Sequence, residues 1–221
     1  MKIVTAKTEN ELYLEVVDRA VDLLKQEIEN CGRASLILSG GNTPQKYLPE
    51  LFSRPLDWEK IIITLSDERW VPLDHDDSNE GMIRKCIERV PEAHKAKFIS
   101  FYNEDETALA SVNRLESNLI AEVMPFSVAL LGMGTDGHIC SLFPNAINVE
   151  GPNGICSLNI DAPLHPRISL FYKALTKIKF PILILTGTEK RKVFDLATSG
   201  VMAYPVSELL KHENLLIIQI V

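Results

Sequence analysis

The sequence predicts an α/β fold with a mainly parallel sheet and helices on both of its faces, formed by residues 1–221 as one domain. Two observations carry this prediction. Short apolar runs recur along the chain and are mostly continuous instead of alternating, which is typical of strands covered on both faces. Segments with apolar residues at helical spacing lie between these runs, and strands that alternate with helices favour parallel pairing.

The elements follow in chain order. The predicted strands are residues 3–4, 35–39, 61–65, 98–99, 128–131, 168–172, 182–186 and 215–220. The predicted helices are residues 10–29, 79–90, 105–123 and 189–198. Gly32 and Pro125 stand where the first and third helices would end, and Ser78 stands where the second would be capped. Residues 144–166 are rich in Pro, Gly and Asn and are predicted to form a long irregular connection.

Composition narrows the class of protein. The formal net charge is -7, so a global basic field that would attract nucleic acid is absent. No apolar run approaches the roughly 18 residues that a membrane span needs, and the start, MKIVTAKTENEL, lacks the apolar segment of a secretory signal. The four cysteines form no C-x-x-C pair, which favours reduced thiols. We therefore expect a cytoplasmic protein, a monomer or weak homo-oligomer, with a small-molecule substrate and no nucleic-acid or membrane partner.

Three predicted strand ends carry polar clusters, and the carboxyl ends of parallel strands are where such sheets bind ligands. The first cluster follows strand 35–39 and reads Ser39, Gly40, Gly41, Asn42, Thr43, Pro44. Thr43 suits an N-cap and Pro44 suits the first helical position. Free N–H groups at such a helix start can bind an anion. An ordinary tight turn would explain the same stretch equally well.

The second cluster follows strand 61–65 and begins with Ser66, Asp67, Glu68 and Arg69. Asp67 could act as a base or orient a substrate hydroxyl, and Arg69 could hold a phosphate or carboxylate through two hydrogen bonds. A local ion pair is the alternative. Residues 74–77 read Asp-His-Asp-Asp and look like metal ligands, but an acidic loop with one histidine is usually only solvated, so we predict no metal there.

The third cluster is LLGMGTDGHICSLFP, residues 130–144, whose three spaced glycines match the dinucleotide-binding fingerprint. That fingerprint requires a long helix and then a strand with a terminal acid, and this stretch has room for neither. The glycines more plausibly turn Asp136 and His138 into a pocket. A histidine side chain ordinarily titrates near pH 6.5, so it can take a proton from water at neutral pH. Cys140 suggests a Cys–His pair, but the apolar run after it favours a small buried side chain.

Two further basic residues lie at predicted strand ends. Arg167 directly precedes strand 168–172, and Lys190 follows strand 182–186 near a helix start. Either could reach an anion or be a surface charge. Lys190 is nearer to a carboxyl end of a strand, so topology favours it.

Taken together, the motifs LSGGNTP, SDERWVP with Ser78-Asn79, GMGTDGHICSLFP, PRISL and TGTEK resemble the 6-phosphogluconolactonase family, within the superfamily of glucosamine-6-phosphate deaminases and isomerases. They follow in that order over nearly the whole chain, and the resemblance implies a Rossmann-like α/β sandwich. Deaminases resemble the third motif but continue toward an FNEP-type sequence with a catalytic glutamate, whereas this chain continues as SLFP, the lactonase form. Asn42 replaces a common Ser, and Ile139-Cys140 replaces a common Thr-Ala.

The resemblance implies hydrolysis of 6-phospho-D-glucono-1,5-lactone to 6-phospho-D-gluconate, the second step of the oxidative pentose phosphate pathway. His138 would act as general base on water, and Asp136 or Asp67 would orient the reacting groups. The phosphate would lie on residues 39–43, with help from Arg69, Arg167 or Lys190. No metal or redox cofactor is implied. A sugar-phosphate isomerase or deaminase of the same fold and a non-catalytic sugar-phosphate sensor are the alternatives.

Overall fold

The computed structural model describes residues 1–220. The strands are β1 (Lys2–Ala6), β2 (Ala34–Leu38), β3 (Ile61–Leu65), β4 (Asp67–Arg69), β5 (Lys97–Phe98), β6 (Phe126–Gly132), β7 (Val149–Glu150), β8 (Cys156–Asn159), β9 (Arg167–Leu170), β10 (Ile178–Leu185) and β11 (Leu216–Ile220). The α-helices are α1 (Glu9–Cys31), α2 (Pro44–Ser53), α3 (Asn79–Ile87), α4 (Ala108–Asn118), α5 (Tyr172–Leu175), α6 (Thr188–Ser199) and α7 (Val206–Leu210). No helix of this part of the chain is both long and apolar enough to cross a membrane.

The main sheet confirms the predicted α/β class. Seven strands lie in the order β1-β11-β10-β6-β2-β3-β5, and each neighbouring pair is parallel. Seven of the eight predicted runs form these strands. Every residue of β2 is buried, as a continuous apolar strand in the middle of a helix-covered sheet requires. The sheet is flanked by helices, as predicted.

A second, antiparallel sheet of order β4-β9-β8-β7 corrects two predictions. The run at 168–172 contributes β9 to this small sheet and not to the main one, and residues 144–166 contain β7 and β8 instead of being wholly irregular. The buried Glu116 carboxylate of α4 accepts backbone N–H bonds from Ile155 at 2.6 Å and Cys156 at 2.8 Å. This contact from a distant helix orders the segment, and local sequence gives no sign of it.

The helix ends follow the predicted signals with one exception. Gly32 ends α1 in the left-handed conformation, with φ 75°, which glycine adopts without strain. Ser78 caps α3 by accepting the Gly81 N–H at 2.9 Å. Pro44 is the first residue of α2, but the predicted cap is wrong: Thr43 has helical φ and ψ, and its hydroxyl makes no capping bond. The hydroxyl of Thr43 is therefore not engaged at the helix start.

Candidate active site

A cleft of about 250 Å³ lies at the carboxyl ends of the central strands. Strands β10, β6, β2 and β3 are consecutive neighbours in the main sheet, so the loops that follow them converge there. The residues that line the cleft are Ser39, Gly40, Gly41, Asn42, Thr43, Pro44, Tyr47, Asp67, Arg69, Asn79, Gly132, Met133, Gly134, His138, Cys140, Arg167, Ile184 and Lys190. Every side chain or glycine singled out above as catalytic or phosphate-binding lines this one cleft, except Asp136.

Asp136 lies behind His138 and holds its ring. Asp136 Oδ1 is 2.6 Å from His138 Nδ1 and accepts the His138 backbone N–H at 3.1 Å. Burial by itself raises the pKa of the Asp136 carboxyl, but the hydrogen bonds and charge of His138 outweigh it and hold this pKa below its ordinary value. The carboxylate thus stays ionised and fixes which ring nitrogen faces away from it.

The loop around His138 restricts the position of its ring. The Gly134 N–H donates to the His138 carbonyl at 2.9 Å, and the ring packs on Phe143 with centroids 4.6 Å apart. A Cβ on Gly134 would overlap the His138 ring and Asp136 Oδ1. No helix follows Gly137, where the segment forms bridges through Ile139 instead. Gly134 therefore leaves the space that the His138–Asp136 pair occupies, and the segment lacks the helix that a dinucleotide fingerprint requires. Of the two side chains predicted to turn into a pocket, only His138 lines the cleft.

Asp67 is a buried carboxylate held by two hydroxyls. Ser66 Oγ donates to Asp67 Oδ1 at 2.7 Å, and Ser141 Oγ donates to Asp67 Oδ2 at 2.6 Å. Asn79 Nδ2 donates to the Asp67 carbonyl at 2.9 Å. Hydrogen bonds of this kind offset part of the cost of burying a charge. Ser141 belongs to the SLFP motif, so the tertiary fold connects the second and third motifs through this contact.

Ser141 and Asn79 contact Asp67, although neither is recognisable from the sequence as a candidate site residue. Asn79 follows a helix cap, and Ser141 opens a run that looks apolar, so neither position carries a local chemical signal. Their only sequence sign is that they belong to the motifs that carry the family resemblance. The fold brings both to Asp67.

Three cationic side chains line the cleft and form no ion pair with any carboxylate of residues 1–220. Arg69 and Arg167 face each other across the β4–β9 pair, and the Nε atom of each is buried with no hydrogen-bond partner within residues 1–220. Burial first, and the charge of Arg69 second, lower the pKa of Arg167; burial lowers the pKa of Lys190. Arg69 and Arg167 are like charges held together and partly desolvated, and an anion would stabilise them. The cationic wall formed by these two arginines, with Lys190 in the same cleft, therefore suits a phosphate.

The backbone of residues 40–43 offers further donors. None of these four N–H groups donates to another protein group within the described chain. Gly41 has φ 96°, a conformation that glycine adopts readily. The turn therefore has the free N–H groups that an anion site requires, and it lines the same cleft as the three cations.

Cys140 does not have the environment of a nucleophile. The thiol is buried, and burial, together with the charge of Asp67, raises its pKa well above the ordinary value. Thiolate is the reactive form, so the structure favours the small buried side chain of the sequence prediction over the Cys–His pair.

Comparison with known proteins adds independent findings. The family model described as "Glucosamine-6-phosphate isomerases/6-phosphogluconolactonase" matches residues 7–217. The chain is 36% identical over 183 residues to a 6-phosphogluconolactonase of Pseudomonas putida, covering 80% of this chain and 75% of that protein. It is 31% identical over 222 residues to a 6-phosphogluconolactonase of Caulobacter vibrioides, covering 97% and 94%. The crystal structure of a 6-phosphogluconolactonase from Shewanella baltica superposes with a TM-score of 0.89 at 31% identity, covering 100% and 98%.

Proposed function

The chain belongs to the family of glucosamine-6-phosphate isomerases and 6-phosphogluconolactonases, and we propose that His138 is the general base of its lactone hydrolysis. The reaction converts 6-phospho-D-glucono-1,5-lactone to 6-phospho-D-gluconate, in the pentose phosphate pathway. The observation that carries the proposal is that His138, paired with Asp136, lines the same cleft as the cationic side chains.

We place the phosphate at the cationic wall. Arg69, Arg167 and Lys190 supply charge, and the free N–H groups of residues 40–43 supply further hydrogen bonds. The phosphate is not the reacting group, so anchoring it lets binding energy position the carbonyl for attack. The Asn42 side chain stands where the family commonly has Ser, and the backbone contribution does not depend on that replacement.

The proton transfers then involve His138. Its Nδ1 is engaged by Asp136, which leaves Nε2 to take a proton from the attacking water. The imidazolium that forms is stabilised by the Asp136 carboxylate and can protonate the ring oxygen as it leaves. Such general-base assistance is worth about 10²–10⁴-fold in rate. The oxyanion formed at the former carbonyl requires donors, for which loop N–H groups or an arginine are available.

Asp67 is better suited to orienting the substrate than to activating water. Both of its oxygens already accept serine hydroxyls, and its remaining lone pairs can accept a sugar hydroxyl. We therefore assign Asp67 to substrate positioning and the Asp136–His138 pair to proton transfer.

The test is a pH-stat assay with freshly prepared lactone on the purified full-length chain. His138→Ala should lower kcat by about 10²–10⁴-fold, while 6-phosphogluconate still binds, because the cationic wall is untouched. His94→Ala is the matched control, since His94 is exposed on a turn remote from the motif residues in sequence. Near-normal turnover by His138→Ala would refute the assignment.

The same preparation tests the amine chemistry of the superfamily. Residues 139–144 contain no acid, and Ser141 is bound to Asp67, so the glutamate that a deaminase needs after its Asp-Gly-His is missing. Glucosamine 6-phosphate should release no ammonia above the no-enzyme rate.

Three accompanying expectations remain proposals. We expect residues 1–221 to fold as one unit with a single unfolding transition, the protein to be a monomer or weak homo-oligomer on sizing with light scattering, and the location to be cytoplasmic by fractionation. Two or more separated unfolding transitions would contradict the first of these.

A further inference from the structure

Three metal-ligating side chains meet outside the cleft. His165 Nε2 is 2.9 Å from Asp77 Oδ2, and His75 Nδ1 is 3.9 Å from the same oxygen. One ligand atom from each residue lies within 4.8 Å of the others, and the two imidazole rings meet edge to face with centroids 5.2 Å apart. None of the three lines the catalytic cleft, and the proposed hydrolysis uses none of them.

The backbone brings the three together before any ligand binds. Pairing of β4 with β9 continues one step further, where the Trp70 N–H donates to the Pro166 carbonyl at 2.8 Å. This sets His165 beside the loop that follows β4. In that loop the His75 N–H donates to the Pro72 carbonyl at 3.0 Å, and Arg69 Nη1 donates to the Asp77 carbonyl at 2.6 Å. These bonds hold the three residues in place, so the entropic cost of ordering them when a ligand binds is small.

Residues 74–77 alone predicted no metal, but the fold adds His165 to them, and we propose that His75, Asp77 and His165 form a binding site for one divalent transition-metal ion of the zinc type. Bonds of about 2.0–2.2 Å in a tetrahedron put ligand atoms about 3.3 Å apart. The two observed separations, 2.9 Å and 3.9 Å, lie on either side of that value. The fourth position would hold water, because the side chains of the three ligands are partly exposed.

Binding exchanges hydrogen bonds for metal bonds. The contact between His165 Nε2 and Asp77 is replaced as both become ligands of one ion. At His75 the nitrogen nearer to Asp77 is Nδ1, which now accepts the Asp77 backbone N–H at 3.0 Å. That bond is given up, and the amide can turn to water because Asp77 and its loop are near the surface.

The surroundings select the type of ion. Two imidazoles and one carboxylate suit Zn²⁺ and related ions, whereas Mg²⁺ and Ca²⁺ prefer oxygen ligands. Arg69 and Arg167 both interact electrostatically with Asp77, and their charge opposes any cation. Only an ion that forms strong bonds to nitrogen overcomes this repulsion. The site should therefore discriminate against Mg²⁺ more sharply than an isolated cluster of the same ligands.

The site is tested by binding alone, so its outcome is separate from that of the lactonase assay. Chelator-treated full-length protein is titrated with Zn²⁺ in a calorimeter and with Co²⁺ in an absorption spectrometer. One equivalent of Zn²⁺ should bind, Co²⁺ should give the intense visible bands of a tetrahedral site, and Mg²⁺ should give no heat. Removing one histidine ligand should weaken binding by at least about 100-fold.

The variants locate the ion. Binding should be lost in His165→Ala, His165→Gln and His75→Ala, whose folding is checked by thermal unfolding, and kept in His94→Ala and His138→Ala. Retention of wild-type affinity by the correctly folded His165 variants would overturn the proposal. Loss of binding in His138→Ala would also overturn it, because the ion would then belong to the catalytic pair. Absence of any Zn²⁺ binding at millimolar metal would do the same.

Discussion

Replacing Gly134 by alanine tests whether the loop geometry positions His138, the proposed general base. Gly134 contributes no chemical group, yet a Cβ at this position would overlap both His138 Nδ1 and Asp136 Oδ1. Neither partner can yield easily, since the His138 carbonyl is tied to the Gly134 N–H at 2.9 Å and the ring packs on Phe143. The added methyl group must therefore displace the ring or break its bond to Asp136.

The magnitude follows from what is displaced. General-base assistance of about 10²–10⁴-fold corresponds to about 2.7–5.4 kcal/mol of barrier, so kcat should fall by up to that factor. Overpacking of this kind costs about 1–3 kcal/mol of stability, less than the about 5–15 kcal/mol that holds a domain folded. Arg69, Arg167 and Lys190 lie on other elements, so KM should change little.

The assay is lactone hydrolysis by Gly134→Ala, His138→Ala and the double variant, with thermal unfolding measured on each. If the methyl group acts only through the histidine, the double variant should be no slower than His138→Ala alone. Wild-type kcat in a folded Gly134→Ala protein would refute the reasoning. So would fully additive losses, because the two changes would then act independently.

Four other changes follow from the contacts at the site. Ser141→Ala removes one of the two hydroxyls that donate to Asp67 and should lower the free energy of unfolding, measured in urea, by about 1.5–3 kcal/mol. An unchanged free energy of unfolding would mean that this hydrogen bond does not stabilise the contact between the two motifs. Arg167→Gln should raise KM by about 10–150-fold with little change in kcat, from the same energy range for a charged hydrogen bond; an unchanged KM would place the phosphate elsewhere. Cys140→Ala should keep most of the activity, and an inactive but folded variant would restore the Cys–His alternative. Burial raises the pKa of Glu68 from its ordinary 4.5 to about 7, so the folded state holds this proton more tightly, and the Glu68 contribution to stability should be fully present below about pH 4.5 and fall by up to about 3 kcal/mol as pH rises to about 7; in urea unfolding at a series of pH values, Glu68→Gln should remove this contribution to the pH dependence.

The sequence determined much of the fold because strand and helix signals are local. Continuous apolar runs such as residues 61–65 became β3 with the predicted bounds, and Ser78 and Gly32 marked helix ends through bonds to residues a few positions away. Parallel sheets bind ligands at the carboxyl ends of their strands, and this rule predicted the edge of the sheet at which the motifs lie. The prediction of Thr43 as the N-cap of α2 was wrong because its backbone is already helical, and the residue types around it do not reveal that conformation.

Only the tertiary structure decided which side chains meet. Pairing of β4 with β9 sets Arg69 opposite Arg167, and it brings His165 to Asp77 across 88 positions of sequence. Ser141 reaches Asp67 across 74. Hydrophobic periodicity reports whether a residue is buried but not which distant residue it touches, because packing and strand register are properties of the whole chain. The sequence therefore sufficed to propose His138 and Asp136 as the proton-transfer pair, because they are two residues apart, while the two serine hydroxyls on Asp67, the Arg69–Arg167 pair and the proposed metal site emerged only from the folded chain.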